Sequence, residues 1–174
     1  MNISLSSLIF LSVLAIAPAC GQDKPKRLVA FLVRHAEKME TGEDPDLTAA
    51  GESRARDLAA MLRTAGITQV HSSDYKRTRN TAAPTAERLG LKVRIYDPRD
   101  LPTLVVELKA AGGRHLIVGH SNTTPALAKL LGGQAGAPVD EKGDYDRLYV
   151  ITVDAGGEAS TVLLRYGAPF LKGK

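Results

Sequence analysis

Four residues could do chemistry together: Arg34, His35, Arg77 and His120. Arg34 and His35 directly follow the apolar run Leu28–Val33, and His120 directly follows Leu116-Ile117-Val118-Gly119. Arg77 opens the segment after Gln69-Val70-His71-Ser72-Ser73. Guanidinium forks match phosphate oxygens bidentately and keep their charge at any relevant pH. Of two imidazoles, one can act as nucleophile or base while the other donates to the same ligand. That combination suits phosphoryl transfer, which is mostly positioning and neutralisation of oxygen charge. Taken singly, each residue has an ordinary reading: a histidine at a strand end satisfies its own bonds, and an arginine at a helix start faces solvent. Arrival on one edge is what weakens those readings. His71 lies within a strand and His115 begins one, so both are read as structural.

The elements that must bring the four together can be read from hydrophobic pattern. Leu28–Val33 is apolar throughout, the mark of a strand buried on both faces. Ala36 to Leu47 is a polar loop. Thr48 is placed to cap a helix with Ala55, Leu58, Ala59 and Leu62 on its inner face and Arg54, Arg56, Asp57 and Arg63 off it, closed by Gly66. A second strand covers Gln69–Ser73. Asp74 is expected to cap the next helix, whose opening turns carry Lys76, Arg77 and Arg79 where the helix dipole disfavours cations, and Pro84 is expected to interrupt it. Leu91–Tyr96 alternates like a strand near a sheet edge. Leu104, Val105, Leu108 and Ala111 mark a helix ended by Gly112-Gly113; Leu116–Gly119 is a further buried strand. Thr124-Pro125 opens a helix with proline at its first position, stopped by Gly132-Gly133. After a loop from Gln134 to Asp146, Leu148–Val153 and Thr161–Arg165 form a closing hairpin. Strands alternating with helices give a three-layer α/β/α sandwich around a mainly parallel sheet, and in such sheets ligands bind beyond the carboxyl ends of the strands.

Arg34-His35-Ala36-Glu37-Lys38 resembles the R-H-G/A signature of the histidine phosphatase superfamily, also called phosphoglycerate-mutase-like. Asp46-Leu47-Thr48-Ala49-Ala50-Gly51 is similar to its L-T-x-x-G helix start. Ser73-Asp74-Tyr75-Lys76-Arg77-Thr78-Arg79-Asn80-Thr81-Ala82 is similar to its S-x-x-x-R-x-x-x-T-A segment, and Val118-Gly119-His120-Ser121 to its V-G-H element. The four motifs stand in the family's order between Leu28 and about Leu131. The resemblance implies the family's fold, a phosphohistidine formed on His35, a phosphate pocket of Arg34, Arg77 and His120, and no metal or other cofactor. For the proton that the leaving oxygen needs, Asp97 at the end of the Leu91–Tyr96 strand is the first candidate, Glu37 the second and Asp100 the third. Each could equally be a loop carboxylate that caps or pairs with Arg94 or Arg99.

The chain of 174 residues is long enough for one domain, and its 44% hydrophobic and 24% charged content is that of a globular protein. The net charge of +4 comes from scattered Lys and Arg without interleaved aromatics, which argues against nucleic-acid binding. Residues 1–22 read as a secretory leader: Leu8–Ala17 is a short apolar core, followed by Ala17-Pro18-Ala19. Cys20, the sole cysteine, is placed either to carry a bacterial lipoprotein's lipid or to remain a free thiol after simple cleavage. Residues 23–174 form a single domain. The expectation is a periplasmic or membrane-anchored phosphatase acting on a phosphorylated small molecule or phosphopeptide. Its rivals are a cytosolic phosphohistidine-protein phosphatase and a non-catalytic phosphate-binding lipoprotein. A mutase is disfavoured by short connections and by Glu37 beside the nucleophile.

Overall fold

The computed structural model describes residues 26–170. The leader expected over residues 1–22, Cys20 included, lies outside them. The first apolar run forms β1 (Leu28–Arg34), whose side chains alternate between two faces. Leu28, Ala30 and Leu32 join one core with Leu104, Leu108, Leu127 and Leu131; Phe31 and Val33 join another with Leu58, Leu62, Ala82 and Ala86. A strand apolar on both faces must be covered on both.

The chain continues through α1 (Ala49–Met61), β2 (Gln69–Ser73), α2 (Lys76–Leu89), β3 (Val93–Tyr96), α3 (Leu101–Ala111), β4 (Gly113–Gly119), α4 (Thr123–Leu130), β5 (Arg147–Val153) and β6 (Ala159–Arg165). Six strands form one sheet in the order β3-β2-β4-β1-β5-β6. β3, β2, β4 and β1 run parallel, and β5 and β6 complete the sheet antiparallel. α1 and α2 cover one face, α3 and α4 the other. This is the expected three-layer sandwich, with the alternating strand β3 at an edge.

Register does the positioning. In the parallel pair β1–β4, Arg34 stands opposite Gly119, so His35 and His120 leave the sheet side by side. Ser72 of β2 is opposite Val118, which brings Ser73 and the start of α2 to the same edge.

Several local expectations are corrected. Pro84 does not interrupt α2, which runs from Lys76 to Leu89 through it. A proline removes one ladder donor, and buried Thr81, Ala82, Thr85 and Ala86 hold the turns on either side. Asp74 does not cap α2. The N-cap is Tyr75, Asp74 pairs with Arg79, and the Lys76 N–H donates to Asp44 from the loop after β1 (3.0 Å). α4 starts at Thr123, so Pro125 is its third residue, still within the turn whose N–H groups lack helical partners.

Arg54, expected on the solvent side of α1, is buried. Its guanidinium grips the Glu37 carboxylate at 2.7–3.0 Å and donates to the carbonyls of Tyr166 and Ala168, both at 2.9 Å. The loop after β1 presses on α1, and only a multi-donor side chain satisfies a carboxylate and two carbonyls there at once. Gly51 measures how close that approach is: a Cβ at this position would lie 2.2 Å from the Glu37 carbonyl oxygen. Thr48 tightens the same joint, donating its N–H to Glu37 O (2.9 Å) and accepting from Gly51 N–H (3.1 Å). Exchanging a helical Gly for Ala ordinarily gains up to ~1 kcal/mol. Here the clash with backbone should outweigh that gain, and Gly51→Ala is expected to lose about 2 kcal/mol of unfolding free energy. Denaturant titration checks this; an unchanged or raised midpoint would show that the loop and α1 can part freely.

Candidate active site

His35 continues the β1–β4 ladder by one bond, its N–H donating to Gly119 O at 2.9 Å, and its ring is buried. Nδ1 lies 2.8 Å from Ala36 O. A carbonyl only accepts, so the network assigns the proton to Nδ1 and leaves the lone pair on Nε2. The accepting residue is itself pinned: Ala36 N–H donates to Thr81 Oγ1 (2.9 Å), which donates to Arg77 O (2.7 Å). The helix that carries Arg77 therefore also sets the tautomer of His35.

The His120 ring sits edge-on to His35 with centroids 5.5 Å apart, so both can reach one small anion. Its Nε2 lies 2.8 Å from Ser73 Oγ, which leaves Nδ1 for a ligand. Gly119 makes the turn into His120 possible, because a Cβ there would come within 2.8 Å of Thr123 Oγ1 and 3.0 Å of the Tyr96 hydroxyl. The same Thr123 oxygen accepts the His120 N–H at 2.9 Å.

Arg34 and Arg77 flank the rings. Arg34 donates to Asp140 O (3.2 Å) and Glu141 O (2.9 Å) and lies 4.0 Å from the centre of the Tyr145 ring. Arg77 lies 4.4 Å from the centre of the Tyr75 ring and 3.6 Å from Asp44 Oδ1. In both arginines Nε is buried and makes no hydrogen bond among the described residues. A buried charged donor left unsatisfied costs about 1–3 kcal/mol or more, and an oxyanion is the partner that fits it. These groups line a cavity of about 490 Å³ together with Lys38, Tyr75, Ser121 and Glu141.

Burial pushes His35 down to about 3; the bond to Ala36 O opposes this, and the charges of Arg34, His120 and Arg77 add to it. Burial, then Arg77 and Arg34, pushes His120 down to about 4. Both imidazoles are neutral at pH 7.

Thus Arg34, His35, Arg77 and His120 are brought together, and the three proton-donor candidates are not. Asp97 is half-exposed and held by Arg99 through two bonds of 3.0 Å, which keep its carboxyl below the usual range. It faces a neighbouring cavity. Glu37 is taken up by Arg54. Asp100 caps α3 through Thr103 N–H (3.2 Å) and Thr103 Oγ1 (2.8 Å). Among the described residues the carboxylate that lines the cavity is Glu141, from a loop whose sequence carries no motif. Ser73 and Tyr75 lay inside a motif without an assigned part, and Tyr145 had no signal. His71 and His115 pair with each other (3.0 Å) near the amino end of β4, with His115 Nε2 2.6 Å from Gly112 O.

The family model of the histidine phosphatase superfamily, branch 1, matches residues 30–98, the span that holds Arg34, His35 and Arg77. Over that span the sequence matches the histidine phosphatase superfamily. Over 79 residues this chain is 42% identical to a protein of Yersinia enterocolitica named as a probable phosphoglycerate mutase. The counterpart in Escherichia coli O1:K1 is 39% identical over the same length. Each match covers 41% of this chain and 36% of the relative, so the chain spans little more than a third of these curated proteins. In structure it resembles the protein histidine phosphatase SixA complexed with tungstate (TM-score 0.64, 17% identity, 79% of this chain and 97% of that one). It also resembles mycobacterial glucosyl-3-phosphoglycerate phosphatase (TM-score 0.61, 18% identity, 83% and 100%). These likenesses establish the phosphoglycerate-mutase-like fold.

The depressed histidines also set an acid limit on stability. Burial, then the neighbouring His115, pushes His71 down to about 4 as well. Unfolded histidines take up a proton near pH 6.5, so between that value and the folded ones the unfolded chain binds more protons and stability rises with pH. The contribution is complete above about pH 6.5 and is lost as pH falls through about 4 for His71 and His120 and about 3 for His35. Melting curves from pH 7.5 down to 4 should show a steadily falling Tm; a Tm that holds or climbs on acidification would contradict the burial argument.

Proposed function

We propose that this protein is a metal-independent phosphatase that passes the phosphoryl group of a phosphomonoester, phospho-anhydride or phosphohistidine through His35 to water. The observation that carries the reading is the tautomer of His35, fixed by Ala36 O, inside a pair of guanidinium groups. A lone pair on Nε2 is what attack on phosphorus needs, and a neutral ring keeps it available at pH 7. In the first step the Nε2–P bond forms and the P–O bond to the leaving group breaks, the leaving oxygen taking up a proton. In the second, water attacks phosphorus, the N–P bond breaks and inorganic phosphate departs. Arg34 and Arg77 neutralise the phosphoryl oxygens, with the His120 ring beside them. That SixA was solved with tungstate, an oxyanion, is consistent with an oxyanion site on this fold.

A binding protein gains nothing from a neutral imidazole between two cations, since a protonated one would hold an anion more strongly. A mutase would return the phosphoryl group to an acceptor rather than to water, so release of inorganic phosphate separates the two. The substrate class is a phosphorylated small molecule or phosphopeptide.

The purified protein should release phosphate from 4-nitrophenyl phosphate without added metal and at an unchanged rate in EDTA. His35→Ala should fall to background, and Arg34→Ala and Arg77→Ala should each lose about 100-fold or more in kcat. A His35→Ala protein as active as wild type would end the mechanism, and strong inhibition by EDTA would replace it with metal-assisted hydrolysis.

The apolar stretch Leu8–Ala17 followed by Ala17-Pro18-Ala19-Cys20 supports export to the periplasm or attachment to a membrane through a lipid on Cys20. Mass spectrometry of the mature protein in a bacterial host should find a chain beginning at Cys20 with an acyl modification, or one lacking the leader and unmodified. A chain that keeps its first 22 residues would remove the reading of a cleaved leader.

A further inference from the structure

The leaving oxygen needs a proton, and the cavity offers one carboxyl among the described residues that is free to give it. We infer that Glu141 is the general acid of the reaction, an assignment that rests on the phosphatase reading above. The other acidic side chains around the site are already engaged: Glu37 by Arg54, Asp97 by Arg99, Asp100 by the start of α3, and Asp44 by the start of α2. Neither histidine has a proton to spare for the leaving group, because the Nδ1–H of His35 is committed to Ala36 O and the Nε2–H of His120 to Ser73 Oγ, whose own hydroxyl donates to Thr78.

Glu141 stands on a connection that is fixed from both sides. Arg147 donates to Ala137 O (2.5 Å) and Pro138 O (3.0 Å) and pairs with Asp144 (2.5 Å). From the cavity side Arg34 donates to the carbonyls of Asp140 and Glu141. The same arginine that meets the phosphoryl group therefore also places the backbone from which the acid projects. The side chain has its own guide: Oε1 accepts the Ser121 hydroxyl at 2.8 Å, one residue beyond His120. With Oε1 so held, Oε2 is the oxygen left to serve the leaving group. As His35 Nε2 bonds to phosphorus and the P–O bond breaks, Oε2–H protonates the departing oxygen and Glu141 becomes a carboxylate. That carboxylate then takes a proton from the attacking water as the N–P bond breaks, which regenerates the acid and balances the cycle.

A general acid matters in proportion to how poor the leaving group is, which a structural residue does not. The test measures kcat/KM of the full chain and of Glu141→Gln on a series from 4-nitrophenyl phosphate, through phenyl phosphate, to benzyl phosphate. Wild type should depend weakly on leaving-group basicity. Glu141→Gln should stay within about threefold of wild type on 4-nitrophenyl phosphate and fall about 100-fold on benzyl phosphate, with an unchanged melting curve. Glu141→Asp should recover part of the loss. A uniform fall across the series, or no fall on benzyl phosphate, would overturn the assignment while leaving the phosphatase reading intact. A wild type inactive on every ester would remove that reading and the acid with it.

Discussion

A histidine kept uncharged between two permanent cations is the constraint from which this site follows. Guanidinium groups do not release their protons, and both here are largely withdrawn from water, so a third positive charge between them would be costly. The surrounding polar groups are arranged around that cost. Tyr145 and Tyr75 turn ring faces to the guanidinium groups, and the carbonyls of Asp140 and Glu141 satisfy the outer nitrogens of Arg34. Among the described residues the two Nε atoms stay buried and unmatched. The site is thus more attractive to a doubly charged phosphoryl group than to a neutral or singly charged ligand.

Topology makes such a gathering inexpensive. Parallel neighbours end on the same edge, so a residue placed just past each strand meets the others without any long excursion of the chain. The match of Arg34 with Gly119 then fixes which residues meet, and a slip by one position would turn one imidazole to the wrong face of the sheet. The antiparallel pair on the far side contributes differently. It extends the sheet beyond β1 and anchors, through Arg147, the loop that roofs the cavity.

How much of this could be read from the chain depended on range. Both-face burial of β1, the alternating edge strand β3 and the short motifs around His35, Arg77 and His120 are local patterns, and they carried the architecture and the central four residues. What escaped was decided by partners far away in sequence. Arg54 looked solvent-facing by helical periodicity, and only the carbonyls of Tyr166 and Ala168 explain why it is inside. Asp97 lay on the right edge, yet Arg99 two residues later captures it. Pro84 looked like a break because the packing of α2 on its neighbours is invisible in a linear pattern. Glu141 reaches the cavity by way of a loop whose course is set by Arg34, more than a hundred residues earlier.

The grip of Arg54 has an implication for how the molecule matures. The Ala36 carbonyl that orients the His35 ring belongs to the same short stretch as Glu37, and Glu37 is steadied by an arginine that is in turn held by the backbone of Tyr166 and Ala168. A ribosome delivers those two carbonyls after every strand of the sheet. The layered scaffold can therefore assemble while the support of the His35 ring still lacks its final brace, which comes from the segment just after β6.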